Sequence, residues 1–169
     1  SESLFKDESV LFLDYIPTII KFRENLQQYI ASCIKQLLQK RSGKNLLIYG
    51  PPGIGKTLAV KHLFNDLSSQ DLDDNVYLIY INCWKKDTAH KIILDICNQI
   101  NYKFIINKTT EELLKNITQI INKKSAVIVL DEADKIKEPD IVYNLLEDIY
   151  KKSIFLITNN KEMLMKIDQ

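Results

Sequence analysis

The octet Gly50-Pro51-Pro52-Gly53-Ile54-Gly55-Lys56-Thr57 fits the spacing G-x-x-x-x-G-K-[ST], in which glycines let backbone N–H groups turn inward around phosphate oxygens. At that spacing Lys56 would meet the β- and γ-phosphates of a nucleotide, and the Thr57 hydroxyl is the type of group that ligates magnesium. A helix opening directly after the loop, at Lys56, Thr57 and Leu58, would add the positive end of its dipole. The other half of such a site is an apolar strand that ends in acid. Ala126-Val127-Ile128-Val129-Leu130-Asp131-Glu132 has that form, a Walker B strand in which Asp131 would hold the magnesium directly or through water. Glu132 would then orient and polarise an attacking water for in-line phosphoryl transfer.

A polar residue ending the next strand would sit beside these acids, within reach of a γ-phosphate or the lytic water. Asn159 occupies that place, with Thr158 and Asn160 as neighbours that pattern alone does not separate from it. Asn82, at the end of an earlier strand, could hydrogen-bond Glu132. Asp134-Lys135 reads as a solvated pair. His62 and His90 lack metal-ligand spacing and are read as structural or solvated. Trp84 beside Lys85-Lys86, together with Lys123-Lys124 and Lys151-Lys152, could touch nucleic-acid phosphates but reads more simply as solvated surface.

The elements that must position these residues follow from periodicity. Apolar residues from Ile19 to Gln39 recur at three- and four-residue steps, predicting an amphipathic helix. Asn45 to Tyr49 is a short buried strand entering the glycine loop, and Lys56 to Leu67 returns to helical spacing. Val76 to Ile81 is a second strand, Ala126 to Leu130 a third and Ile154 to Thr158 a fourth. Helices are predicted over Thr88 to Ile100, from Thr109 with a Thr109-x-x-Glu112 capping box, and from Pro139 to Tyr150. Strands alternating with helices imply a parallel sheet with right-handed crossovers, hence a three-layer α/β sandwich.

Composition agrees with one globular domain of 169 residues, 46% hydrophobic and 27% charged, long enough to bury a core without staples. With 23 basic and 22 acidic residues, no global field draws the chain to nucleic acid or to a membrane. Three widely spaced cysteines, Cys33, Cys83 and Cys97, make neither a disulfide framework nor a Cys-x-x-Cys metal site. Apolar runs are strand-length and the first residues lack a signal pattern. The expected setting is soluble, reducing and intracellular, with no membrane partner.

Taken together, these segments resemble the initiator ATPases of the origin recognition complex and cell division control family, a branch of the AAA+ superfamily of P-loop NTPases. Leu4-Phe5-Lys6-Asp7, Asp14-Tyr15-Ile16-Pro17 and Phe22-Arg23-Glu24 are similar to its N-terminal approach. Asn45 to Thr57, Tyr80-Ile81-Asn82-Cys83, Val129 to Asp134 and Ile157-Thr158-Asn159 recur in its order. The resemblance implies ATP or ADP with Mg2+ as cofactors, and adenine contacts from Tyr15, Ile16, Pro17 and Arg23. It also implies Asn159 as sensor 1, Asn82 as a restraint on Glu132, and a DNA-contacting insertion near the Thr88 to Ile100 helix. The implied function is a switch in replication initiation that binds duplex origin DNA, mainly through further domains, and helps load the replicative helicase. Its setting would be the cytoplasm, at the nucleoid in an archaeon, or the nucleus in a eukaryote.

The chain departs from the full pattern. Only Arg23 and Arg41 are arginines, so the family's arginine finger and sensor-2 arginine would come from other AAA+ subunits or from further domains. Residues 1–169 are therefore expected to be an ATPase core of a longer protein, hydrolysing ATP weakly alone. Ile54 stands where the family often has threonine or alanine. The family's fifth strand flanks the P-loop strand; without it that strand would be an unpaired edge, and the chain less stable and prone to associate. Asp131-Glu132-Ala133-Asp134 also spells the acidic motif of the DEAD-box RNA helicases. A subunit that holds ATP structurally without turnover is a further alternative, and clamp loaders and Holliday-junction motors share the same core.

Overall fold

The computed structural model describes residues 18–21, 26–51, 55–68, 75–160 and 162. The branched, wholly apolar run ahead of Asp131 forms β4 (Ser125–Asp131), with every residue buried. Beside it lies β5 (Lys152–Thr158), buried along its whole length. On the other flank of β4 is β3 (Val76–Asn82), and beyond β5 come β2 (Leu46–Tyr49) and β1 (Thr18–Lys21). The order β1-β2-β5-β4-β3 is parallel throughout.

Alternation along each strand sorts side chains to two layers. Ile48, Val127, Val129, Phe155 and Ile157 face α1 (Leu26–Leu38) and α2 (Lys56–Ser68), where Ile30, Cys33, Leu37 and Val60 complete one core. Leu47, Ile79, Ile128, Leu130 and Leu156 face α3 (Ala89–Gln99), α4 (Thr110–Ile121) and α5 (Asp140–Asp148), meeting Ile92, Ile96, Ile117 and Leu145. The three-layer sandwich is thus formed as the alternation of elements implies. The capping box is present in full: Glu112 N donates to Thr109 Oγ1 and Thr109 N to Glu112 Oε2.

Two expectations are corrected. The helix predicted from Ile19 begins only at Leu26, and Thr18–Lys21 is a strand. Thr18, Ile19 and Ile20 are all β-branched, which favours extended backbone, and so short an apolar run satisfies the helical period by coincidence. That strand pairs Thr18 with Leu46 through Lys21 with Tyr49. The strand leading into the P-loop is therefore paired on both sides, and among the described residues the sheet has five strands rather than four. The expectation of an exposed, association-prone edge there loses its basis.

Lys152, expected on a solvated face, is buried, donating to Ile149 O at 2.5 Å. Burial lowers its pKa. The cysteines are free and buried. Among the described residues no helix is long and apolar enough to cross a membrane.

The sheet's register is what builds a site. Asn82 lies opposite Asp131 and Tyr49 opposite Thr158, so four strands end level with one another. In open parallel sheets ligands gather at this carboxyl edge.

Candidate functional site

Five of the residues singled out from sequence, Lys56, Thr57, Asp131, Glu132 and Asn159, line one cavity of about 360 Å³. Gly55, Leu58, Ile157 and Thr158 complete its wall. Gly50 and Pro51 are tied to the cavity's lysine, Lys56 Nζ donating to Gly50 O at 2.6 Å and to Pro51 O at 2.8 Å. Burial lowers the Lys56 pKa, and the nearby Asp131 and Glu132 carboxylates oppose that shift. Gly55 has φ of +86°, a backbone setting that L side chains rarely adopt, which is why glycine precedes Lys56. Pro52, Gly53 and Ile54, and the adenine-contact candidates Tyr15, Ile16, Pro17 and Arg23, lie outside the described residues.

Asp131 is 3% exposed, yet three donors satisfy its carboxylate. Thr57 Oγ1 donates to Oδ2 at 2.5 Å, the Tyr80 hydroxyl donates to the same oxygen, and Glu132 N donates to Oδ1 at 2.9 Å. Burial and the Asp131 contact both push the Tyr80 phenol pKa upward, so it remains a proton donor. Glu132 has φ of 53°, in the left-handed region that non-glycine residues seldom occupy. This turn carries the chain out of β4 into a 3-10 turn over Ala133–Lys135.

The donor set suits magnesium. That ion keeps waters and takes one or two carboxylates plus substrate phosphates rather than an all-protein cage. A hydroxyl and a carboxylate in contact, with a lysine alongside, match this description. Among the described residues there is no cluster of three or more His, Cys, Asp or Glu side chains of the kind that cages other metals.

Asp134 does not behave as a solvated residue. Its side chain is 10% exposed and accepts from Thr158 Oγ1 at 3.0 Å, while its other oxygen faces Lys135 Nζ at 3.7 Å. Thr158 Oγ1 also accepts from Asn160 N at 3.0 Å, which shapes the loop carrying the exposed Asn159. Gly50 N reaches Thr158 O at 3.4 Å, linking this loop to the glycine loop. Asn82 turns to its own chain, with Oδ1 accepting from Trp84 N at 3.0 Å. Trp84 is exposed, as the solvated-surface reading expects, and Lys135 Nζ lies 5.2 Å from its ring. His62 is exposed beside Asp66, and His90 Nδ1 meets Thr110 Oγ1 at 2.8 Å.

Sequence reasoning did not single out Tyr80 or the Thr158–Asp134 pair. The signal for Tyr80 was its parity: it shares a strand face with Asn82, and a phenol is long enough to reach the diagonal neighbour on the next strand.

Residues 39–163 match the family model described as AAA domain, well over half of the chain. The ORC1-type DNA replication protein of Pyrococcus abyssi is 29% identical over 157 residues, covering 86% of this chain and 38% of that protein. Among solved structures, the Aeropyrum pernix ORC1 protein in complex with DNA superposes with TM-score 0.71 at 24% identity, over 97% of this chain and 46% of the other. The Aeropyrum pernix ORC2 protein in its ADPNP-ADP complexes gives TM-score 0.65 at 20% identity, over 96% and 48%. The chain thus spans less than half the length of these relatives. It belongs to the AAA domain family.

Proposed function

We propose that this chain is the ATP-binding core of a replication-initiation switch, with Mg2+ as its metal. The observation that supports the reading is that Gly55, Lys56 and Thr57, the Asp131-Glu132 strand end and Asn159 line one cavity. Its ORC1-type relatives support the replication role, and the nucleotide complexes of the Aeropyrum ORC2 protein support ATP or ADP as the ligand.

In this reading the loop of residues 50–55 wraps the β- and γ-phosphates, its N–H donors coming from the residues other than Pro51 and Pro52. The Lys56 ammonium binds the same phosphates, and Leu58 belongs to the helix end beside them. Tyr15, Ile16, Pro17 and Arg23 are proposed for the adenine. Mg2+, held by Thr57 and Asp131, would supply charge neutralisation at the phosphates. Glu132 accepts a proton from the attacking water; its left-handed backbone, uncommon outside functional turns, supports that role. Asn159 donates to the γ-phosphate or to the water. Asn82 would restrain the Glu132 carboxylate through its Nδ2 donor, its Oδ1 being the atom that accepts from Trp84 N.

Among the described residues no arginine lines the cavity, so turnover in the isolated chain is slow, and a finger from a neighbouring AAA+ subunit raises it by about 10³ to 10⁵. Duplex origin DNA and the replicative helicase are the proposed further partners, engaged mainly outside residues 1–169. The test is calorimetric titration of Mg-ATP and Mg-ADP into this chain and into Lys56→Ala. Binding that disappears in the variant supports the reading, and a folded wild-type chain that binds neither nucleotide refutes it.

A further inference from the structure

Tyr80 belongs to β3, an edge of the sheet, yet its backbone is closed on the open side. Tyr80 N donates to Gln99 Oε1 at 2.9 Å, and Gln99 Nε2 donates back to Tyr80 O at 2.6 Å. One side-chain amide therefore takes the place of a missing strand at this residue. The ring is held as well, with Lys61 Nζ 4.8 Å from its centroid. Lys61 stands four residues after Thr57, on the same face of α2. Tyr80 pairs with Val129, which puts Asp131 two residues further along the same face of β4. The phenol crosses that diagonal to Asp131 Oδ2.

We propose that Tyr80 is a positioning residue for the magnesium site. Its hydroxyl and that of Thr57 together occupy both acceptor directions of Asp131 Oδ2. A carboxylate offers about four such directions, and Glu132 N takes one of the two on Oδ1. One remains, on Oδ1. The carboxylate so held keeps one Oδ1 direction for a magnesium ion or one of its waters, and it cannot rotate to another arrangement without breaking a bond, Asp131 itself being 3% exposed. Partners of this kind, which orient a metal-site carboxylate without touching the metal, change metal affinity by about 10- to 100-fold when removed.

The inference rests on the nucleotide reading above, and its test separates the two. ATP is titrated calorimetrically in Mg2+ and in EDTA into wild type, Tyr80→Phe, Asp131→Asn and the double variant, each shown folded by circular dichroism. The informative quantity is the ratio of the two dissociation constants, because a merely structural defect weakens binding equally in both buffers. The expected result is an unchanged constant in EDTA, a ratio reduced about tenfold by Tyr80→Phe, and no further reduction when Tyr80→Phe is added to Asp131→Asn. Three outcomes overturn the proposal: a ratio that stays at the wild-type value in Tyr80→Phe, equal weakening in both buffers, or a wild type whose affinity is the same with and without Mg2+. In that last case nucleotide binding itself survives. A wild type that binds no ATP in either buffer refutes the nucleotide reading and this one with it.

Discussion

Replacing Thr158 by valine tests whether the end of β5 is tied to the acidic turn after β4. The change keeps the side chain's shape but removes, from a residue that is 1% exposed, the hydroxyl that donates to Asp134 Oδ1 and accepts from Asn160 N. A hydrogen bond to a charged group contributes about 1.5–3 kcal/mol and one to a backbone N–H about 1 kcal/mol. The added methyl returns about 0.8 kcal/mol. The net loss is about 2–3 kcal/mol, which for a chain of this size lowers Tm by about 4–12 °C. Thr158→Ser keeps both hydrogen bonds and loses only the methyl, so it should cost about 1 kcal/mol. Urea denaturation of both variants, with Asp134→Asn as the partner in a double-mutant cycle, measures the difference. A valine variant no less stable than the serine one, or a cycle with no coupling between Thr158 and Asp134, refutes the reasoning.

Gly43 is a second test of packing: a Cβ there would lie 1.9 Å from Ser153 Oγ and 3.2 Å from Cys33 O. Gly43→Ala should destabilise by about 1–3 kcal/mol in urea melts, with part of the loss recovered when Ser153→Ala is added. The thiols of Cys33, Cys83 and Cys97 all have pKa values raised by burial above the ordinary 9.0. They should resist iodoacetamide in the native chain and react at the rate of opening. Because the unfolded chain ionises its thiols first, their contribution to stability is full below pH 9.0 and falls as pH rises above it, which denaturant melts across that range will show.

Where a residue's partners lie close in sequence, or where burial is uniform along a run, the sequence was readable. β4 announced itself because both faces are covered and all its positions are apolar before the terminal acid. The capping box of α4 needs only four consecutive residues. The P-loop, likewise, is local. What escaped depends on distant pairings: β1 exists because Thr18–Lys21 finds Leu46–Tyr49, and no window around Ile19 contains that partner. Lys152 failed for the same reason, since nothing nearby reveals that β5 is covered on both faces.

The site shows the same division. Lys56, Thr57, Asp131 and Glu132 were legible as types at a spacing, whereas the residues holding them were not. Thr57 reaches Asp131 across 74 positions, Tyr80 across 51, and Thr158 reaches Asp134 across 24. Asp131 and Asp134 are thereby fastened by hydroxyls to different elements, Asp131 to α2 and β3, Asp134 to β5. The arrangement has a consequence for any ligand that recruits the Thr57 hydroxyl. A carboxylate this deeply buried is unfavourable without donors. With Tyr80 on the same oxygen and Glu132 N on the other, Asp131 would keep two of its three donors if the Thr57 hydroxyl turned toward a ligand.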